Sequence, residues 1–484
     1  MPARRPFVAA ALEEGLGTVE SMSSDHRVIV LGLDCLAPQL VYERWRDRLP
    51  NFSRLIQGGR CGLLRSTDPP ITVPAWTSIA TGKDPGELGC YGFRNRNDYS
   101  YDGMALADAT TVRETPLWHM VSRHRKRSIV LGVPQTYPPQ PLRGVLVSGL
   151  LTPDEDAVFT YPADFRRQLD RITGGYRIDV RGFRTEDKAG LLGEIHEMTR
   201  RRFRALRHLV VHEEWDFLMA VEMGPDRMHH AFWKDFDERH PLHRKAGPYA
   251  DAVPDYYRLL DEELGVLLGL LDNGDTLLVV SDHGAQPMQG GVCMNEWLRR
   301  RGYLRLHHTP RRPAGSAVSA VDWSNTTAWA DGGYYARIFL NVRGREPNGA
   351  VPPEDYRAVR EDLALALQEM RGPDGIFPGN RVLRPEQTYR ACRGIPPDLM
   401  VYLGDLGWRS LRTVGGEVFT QGNDTGPDDA NHDIFGVFML YEPWRGEGGR
   451  KIDNVYTLDL APTVLDRLGI PIPPDMRGRT LAPL

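Results

Sequence analysis

RVIVLGLD, residues 27–34, is an unbroken apolar run, rich in Val, Ile and Leu, that ends on an acid. Such a run reads as a strand buried on both faces, the pattern of a parallel sheet. Similar runs follow at RSIVLGV (127–133), GVLVSGL (144–150), DFLMAVEM (216–223), DTLLVVSD (275–282) and FGVFMLY (435–441). Helical spacing fills the intervals, notably 189–213 and 255–272, and PQLVYERWRDRLPNFSRLIQGG (38–59) predicts a helix that stops at Gly58-Gly59. Strand and helix in alternation predict an α/β fold with a doubly wound, mostly parallel sheet flanked by helices.

Between residues 301 and 424 the pattern changes. Short strands such as ARIFLNV (336–342) and a helix from Pro353 to Met370 lie among Gly/Pro/Arg-rich connections. Because the last core strand comes afterwards, this segment reads as an inserted α+β subdomain that caps the substrate, with 26–300 and 425–484 forming the core. Residues 1–25 read as a flexible extension, since Glu13 and Glu14 stop the apolar run that Arg4 and Arg5 precede.

The 484 residues carry a formal net charge of −4, with 41% hydrophobic and 26% charged residues, which excludes a strongly basic nucleic-acid binder. No segment approaches the roughly 18 uncharged apolar residues that a membrane span needs. Five widely spaced cysteines form no CxxC pair, which predicts no disulfide framework and a reducing, cytoplasmic location. Composition is silent on oligomeric state.

Reactive groups in open parallel sheets gather at the carboxyl ends of strands. Asp34 ends the first run, GPDRMHH places Asp226 and His230 just after the fourth, and Asp282-His283 end the fifth. His432 precedes the last. Singly, an acid after a strand is a helix cap, and an Asp/His pair four apart is a surface pair. Together, three carboxylates and three histidines at one sheet edge suit two divalent ions of the zinc or manganese kind. His229 competes with His230, but i, i+4 spacing from Asp226 favours His230. His208, His212, His240, His243, His307 and His308 close no strand and read as surface or packing residues. Thr72, in DPPITVPAWTSIATGKDPG (68–86), stands where a helix needs a cap and where an enzyme holds a nucleophile.

These segments, with DRMHHAFW, VVSDHG, IFLNVRGREPNG, PPDLMVY and DLAPTVLDRLGIPIPPDMRGRTL, resemble in order the alkaline phosphatase superfamily. The resemblance is to its type I phosphodiesterase/nucleotide pyrophosphatase group, especially bacterial proteins described as predicted phosphohydrolases or phosphomutases. It implies one metal held by Asp34, Thr72, Asp282 and His283 and another by Asp226, His230 and His432. It implies that Thr72 is the nucleophile, forming a phosphothreonine that water then releases, on a small-molecule phosphodiester or phosphomonoester.

The sequence departs from that group in two places. Nucleotide pyrophosphatases of the group carry Asn three residues after the nucleophile, where this chain has Ala75, and related sequences often read HG where Leu88-Gly89 stands. Arg94 and Arg96, in YGFRNRND, are candidate phosphate contacts. A phosphomutase using the same phosphoenzyme, and an inactive metal-binding scaffold, are the alternative expectations. A sulfatase is not expected, since neither CxPxR nor SxPxR occurs around Thr72.

Overall fold

The computed structural model describes residues 26–315, 318–373, 375, 379–446 and 448–481. The extension expected over residues 1–25 lies outside them. The core strands are β1 (Val28–Leu33), β2 (Arg60–Arg65), β3 (Ser128–Val133), β4 (Gly144–Ser148), β5 (Thr160–Tyr161), β6 (Phe217–Glu222), β7 (Thr276–Val280) and β8 (Phe435–Tyr441). They form one sheet in the order β2-β8-β7-β1-β6-β3-β4-β5, with Arg450–Lys451 and Val455–Tyr456 both pairing with β2. Strands β7, β1, β6, β3 and β4 run parallel. Every residue of β1, β3 and β6 is buried, as their unbroken apolar runs require.

The sheet is mostly parallel, as expected, with two strands running against the rest, β5 beside β4 and β8 within the sheet. β8 is antiparallel to both neighbours, β7 and β2. Its first residues therefore lie at the edge where β7 ends.

The segment expected as one helix over 38–59 is broken. A wide turn closes from the Trp45 N–H to the Leu40 carbonyl, and a regular helix begins only at Pro50. Pro50 disfavours helical backbone at the residue before it, and Leu49 is accordingly at φ −122°, ψ 73°. Strand β2 carries Arg60 and Arg65 at its ends and Gly62 within, so no apolar run announces it.

A second apolar cluster, which includes Ile338, Leu340, Leu363, Leu367, Leu399 and Val401, lies between residues 292 and 418. It is built on an antiparallel sheet in the order Ala328–Asp331, Ala336–Leu340, Leu399–Tyr402, Arg381–Leu383 and on the helix Tyr356–Gln368. The chain leaves the core after β7 and returns before β8 through a ribbon of Gly284–Pro287 against Ala430–Asp433, in which Ala285 faces His432.

A buried ion-pair junction ties the core's edge together. Glu442, just after β8, accepts from Arg60 of β2 at 2.7 Å and from Arg467 of the C-terminal helix at 2.7 Å. Burial opposes its ionisation, but Arg467, Arg445 and Arg60 outweigh that and hold its pKa below the usual 4.5. Glu442→Gln leaves these guanidiniums buried without their counter-charge, an expected loss of about 3–5 kcal/mol. Because the folded pKa is depressed, this stabilisation is full above the unfolded value and fades as pH falls through the folded one. Denaturant unfolding of wild type and variant should diverge at pH 7 and converge under acid. Equal stability at pH 7 overturns the assignment.

Candidate metal centre

The sheet edge assembles the site. Asp34 follows β1. Asp226 and His230 lie on the helix Gly224–Phe236 after β6, and Asp282 and His283 follow β7. His432 joins them from the ribbon, because antiparallel β8 starts at this same edge. All six side chains are buried.

Five of the six converge in two overlapping groups, Asp34/Asp282/His283 and Asp226/His283/His432, each with ligand-type atoms within 4.8 Å of one another, whereas His230 belongs to neither and meets the second through Asp226. His283 Nε2 is 3.2 Å from Asp282 Oδ2 and 3.9 Å from Asp34 Oδ1. Asp226 Oδ1 is 3.2 Å from His230 Nε2 and 3.8 Å from His432 Nε2. The rings of His283 and His432 stack at 3.8 Å, so His283 borders both groups rather than one.

Each histidine is oriented from behind. Nδ1 of His432 donates to the Pro70 carbonyl at 2.7 Å, that of His283 to the Gly284 carbonyl at 3.1 Å, and that of His230 to the Asp428 carboxylate at 2.7 Å. All three acceptors fix a proton on Nδ1, which leaves Nε2 of His283 and His432 as a lone pair. Burial opposes charging His230, but Asp428, Tyr334 and Asp226 outweigh it and hold that ring well above the usual imidazole range, so a cation would have to displace the proton from its Nε2. Nε2 of His230 and His432, Oδ1 of Asp34 and Oδ2 of Asp282 have no hydrogen-bond partner although buried. Buried orphan donor and acceptor atoms are costly, and convergent ones fit a cation.

The electrostatics agree with that fit. Burial, then the neighbouring carboxylates, push Asp34 and Asp282 well above the usual carboxylate range. Asp226 is buried too, but His230 and Arg227 overcome the burial and keep it ionised. Burial lowers His283 to about 4 and drives His432 well down, so both rings are neutral, as metal ligands must be.

Thr72 is the first residue of the helix Thr72–Thr81, and its hydroxyl lies 3.3 Å from His283 Nε2. It does not cap that helix: the cap position falls to Ile71, and no side chain bonds there. The helix is seated by Trp76, whose Nε1 donates to Asp34 Oδ2 at 2.6 Å. Gly32 makes room for the ring, since a Cβ there would stand 2.3 Å from Trp76 Cη2 and 2.9 Å from a Val221 methyl. Gly32→Ala is expected to lower stability by about 1–3 kcal/mol through overpacking. Unchanged denaturant unfolding would show that the contact is slack.

Of the other candidates, His229 turns away and bonds the Tyr257 hydroxyl at 2.9 Å. Arg96 is buried against Glu346 at 3.1 Å, with the rings of Trp329 and Phe339 beside it, and Arg94 is exposed. Neither arginine is brought to the cluster. Residues not singled out from sequence do reach it: Asp428, Trp76, Arg227, which pairs with Asp226 and Asp179, and Tyr334, whose ring stacks on His432 at 4.0 Å. The acid pair before NHD, in DDANHD, was the available signal for Asp428.

A model of the type I phosphodiesterase/nucleotide pyrophosphatase family matches residues 28–428. The chain belongs to that family. Its members are hydrolytic enzymes acting on phosphoric ester bonds, within the alkaline phosphatase superfamily. Among curated proteins none matches the chain. Among solved structures, human ectonucleotide pyrophosphatase/phosphodiesterase 5 is 15% identical, with 93% of this chain and 97% of that one covered at a TM-score of 0.54. Phosphonoacetate hydrolase from Sinorhizobium meliloti 1021, in complex with phosphonoacetate, is 15% identical over 92% and 96% at 0.59. A murine counterpart of the human protein, in an inactive form in complex with AMP, is 14% identical over 93% and 96% at 0.54. The fold is therefore alkaline phosphatase-like, as the resemblance implies, with the mostly parallel α/β sheet that the strand alternation predicts. No helix among the described residues is long and apolar enough to cross a membrane.

Proposed function

We propose that the protein is a two-metal phosphohydrolase that cleaves a small-molecule phosphodiester or phosphomonoester through a phosphothreonine on Thr72. The observation that carries this reading is the convergence of five buried side chains, Asp34, Asp226, Asp282, His283 and His432, with His230 3.2 Å from Asp226 and orphan atoms on four of the six, beside the Thr72 hydroxyl. Two divalent ions, zinc before manganese, would supply charge neutralisation and acidify the attacking hydroxyl. Asp34, Thr72, Asp282 and His283 would hold one, and Asp226, His230 and His432 the other.

The chain's own groups set up the reaction. The amides of Thr72 and Val73 precede the first bond of the helix ladder, Ala75 N–H to Ile71, so this helix end offers N–H groups and positive dipole to a phosphoryl oxygen. In the first step the Thr72 oxygen gives up its proton and bonds to phosphorus as the ester oxygen leaves and takes up a proton as the alcohol. In the second a water gives up a proton and displaces Thr72, whose oxygen is reprotonated as free phosphate or a monoester departs. Ala75 is buried and offers no side-chain donor, which supports substrates other than the dinucleotide type.

The segment 301–424 is the cap in this reading, supported by its separate apolar cluster and by Tyr334 resting on His432. A cytoplasmic setting is supported by five free thiols. Metal analysis followed by a panel of phosphomonoesters and diesters tests the proposal. Metal-loaded protein should release free product, whereas transfer of the phosphoryl group back to substrate with no release points to a mutase. Turnover of no ester overturns it in favour of a binding scaffold.

A further inference from the structure

Of the three histidines whose Nε2 faces the cluster, only His230 is backed by a charge. His283 and His432 donate to main-chain carbonyls, whereas His230 donates to the carboxylate of Asp428. That carboxylate is itself fixed: its Oδ2 accepts from Arg184 Nε at 2.8 Å and from Arg409 Nη1 at 2.6 Å, and its side chain is fully buried. Tyr334 completes the enclosure. Its ring lies 4.9 Å from that of His230 at 24°, its hydroxyl accepts from Arg184 Nη2 at 2.5 Å, and the Arg409 guanidinium lies 4.8 Å from its centroid. The backbone follows suit, with the Asp429 N–H bonded to the His230 carbonyl at 2.8 Å.

We propose that Asp428 is a positioning residue for the metal site of Asp226, His230 and His432, and that Arg409 and Tyr334, from the excursion between β7 and β8, complete that site by holding it. A carboxylate behind a ligating imidazole fixes its tautomer and orientation and raises its basicity. Two guanidiniums on the far oxygen keep the near one aimed at Nδ1 and offset the cost of burying the charge. The excursion is thus built into the metal centre as well as spread above it. The inference rests on the proposed metal site, although its test does not depend on turnover.

Zinc titration against a competing chelating dye reads the affinity of each site in the full-length protein. Asp428→Asn should weaken one of two sites about 10–100-fold and leave the other unchanged. The same substitution in a His230→Ala background should change affinity little, because Asp428 acts through His230. An Asp428→Asn protein that binds zinc as tightly as wild type overturns the inference, as does an equal loss with and without His230. If Asp428→Asn does not fold, Arg409→Lys serves, with a smaller loss expected that again requires His230; a loss independent of His230 overturns the proposal. Wild-type protein that binds no zinc or manganese overturns the functional reading itself, and this inference with it.

Discussion

Thr72→Ala should abolish turnover of phosphate esters, by at least about 10³-fold, while leaving metal content and thermal stability close to wild type. The separation of the two readouts follows from the structure. Thr72 opens its helix without capping it, so loss of the hydroxyl removes no hydrogen bond from the helix end. Its hydroxyl lies 3.3 Å from His283 Nε2, and the six buried carboxylate and imidazole side chains proposed as ligands remain in place. Thr72→Ser keeps the hydroxyl and should retain part of the rate. Rapid-quench trapping with labelled substrate should find phosphate on Thr72 in the wild type and none in the alanine variant. Undiminished turnover by Thr72→Ala overturns the nucleophile assignment.

Removal of metal should have the next largest effect and should act on stability as well. Without a cation, Asp34, Asp226 and Asp282 sit buried beside one another, and Asp34 and Asp282 are forced toward protonation. A ligand that binds only the folded state at a thousand times its dissociation constant adds about 4 kcal/mol, so two filled sites should raise the melting temperature markedly. Exhaustive chelation should eliminate turnover and lower the melting temperature, and restoring zinc or manganese should recover both. Chelated protein that keeps full activity, or melts unchanged, would contradict the metal-centre reading.

The strands were legible because a strand buried on both faces must be apolar along its length, and β1, β3, β6 and β7 are, with Ser128, Glu222 and Thr276 only at their ends. Strand direction was not legible. Hydrophobic periodicity is the same for either orientation, so the antiparallel β8 looked like its neighbours. Strand β2 escaped because Arg60, Gly62 and Arg65 interrupt its apolar character. The Leu49-Pro50 break was written in the sequence but was outweighed by helical spacing on either side.

At the site, residues next to strand ends were readable one by one, since a strand end fixes a residue's position without knowledge of the rest of the chain. The supporting contacts were not. Asp428 lies 198 residues from His230, and Arg184 lies 150 from Tyr334. Such pairs are set by tertiary packing alone. Arg96 illustrates the converse: a basic residue in a polar loop suggests a ligand contact, but its charge is taken by Glu346, 250 residues away.

The ribbon between Gly284–Pro287 and Ala430–Asp433 clasps the two ends of the long excursion, and the strands it joins, β7 and β8, are hydrogen-bonded neighbours in the sheet. The chain thus exits and re-enters through a single gap, with Asp282 and His283 on one jamb and His432 on the other. Among the described residues, no strand between the two arms of that ribbon pairs with the ten-stranded sheet. In the capping reading, evolution, or a protein engineer, has two dials: a chemistry held at the doorway, and a recognition surface that can be rebuilt behind it, provided that the new chain still returns to His230 a carboxylate and the arginine and tyrosine that hold it.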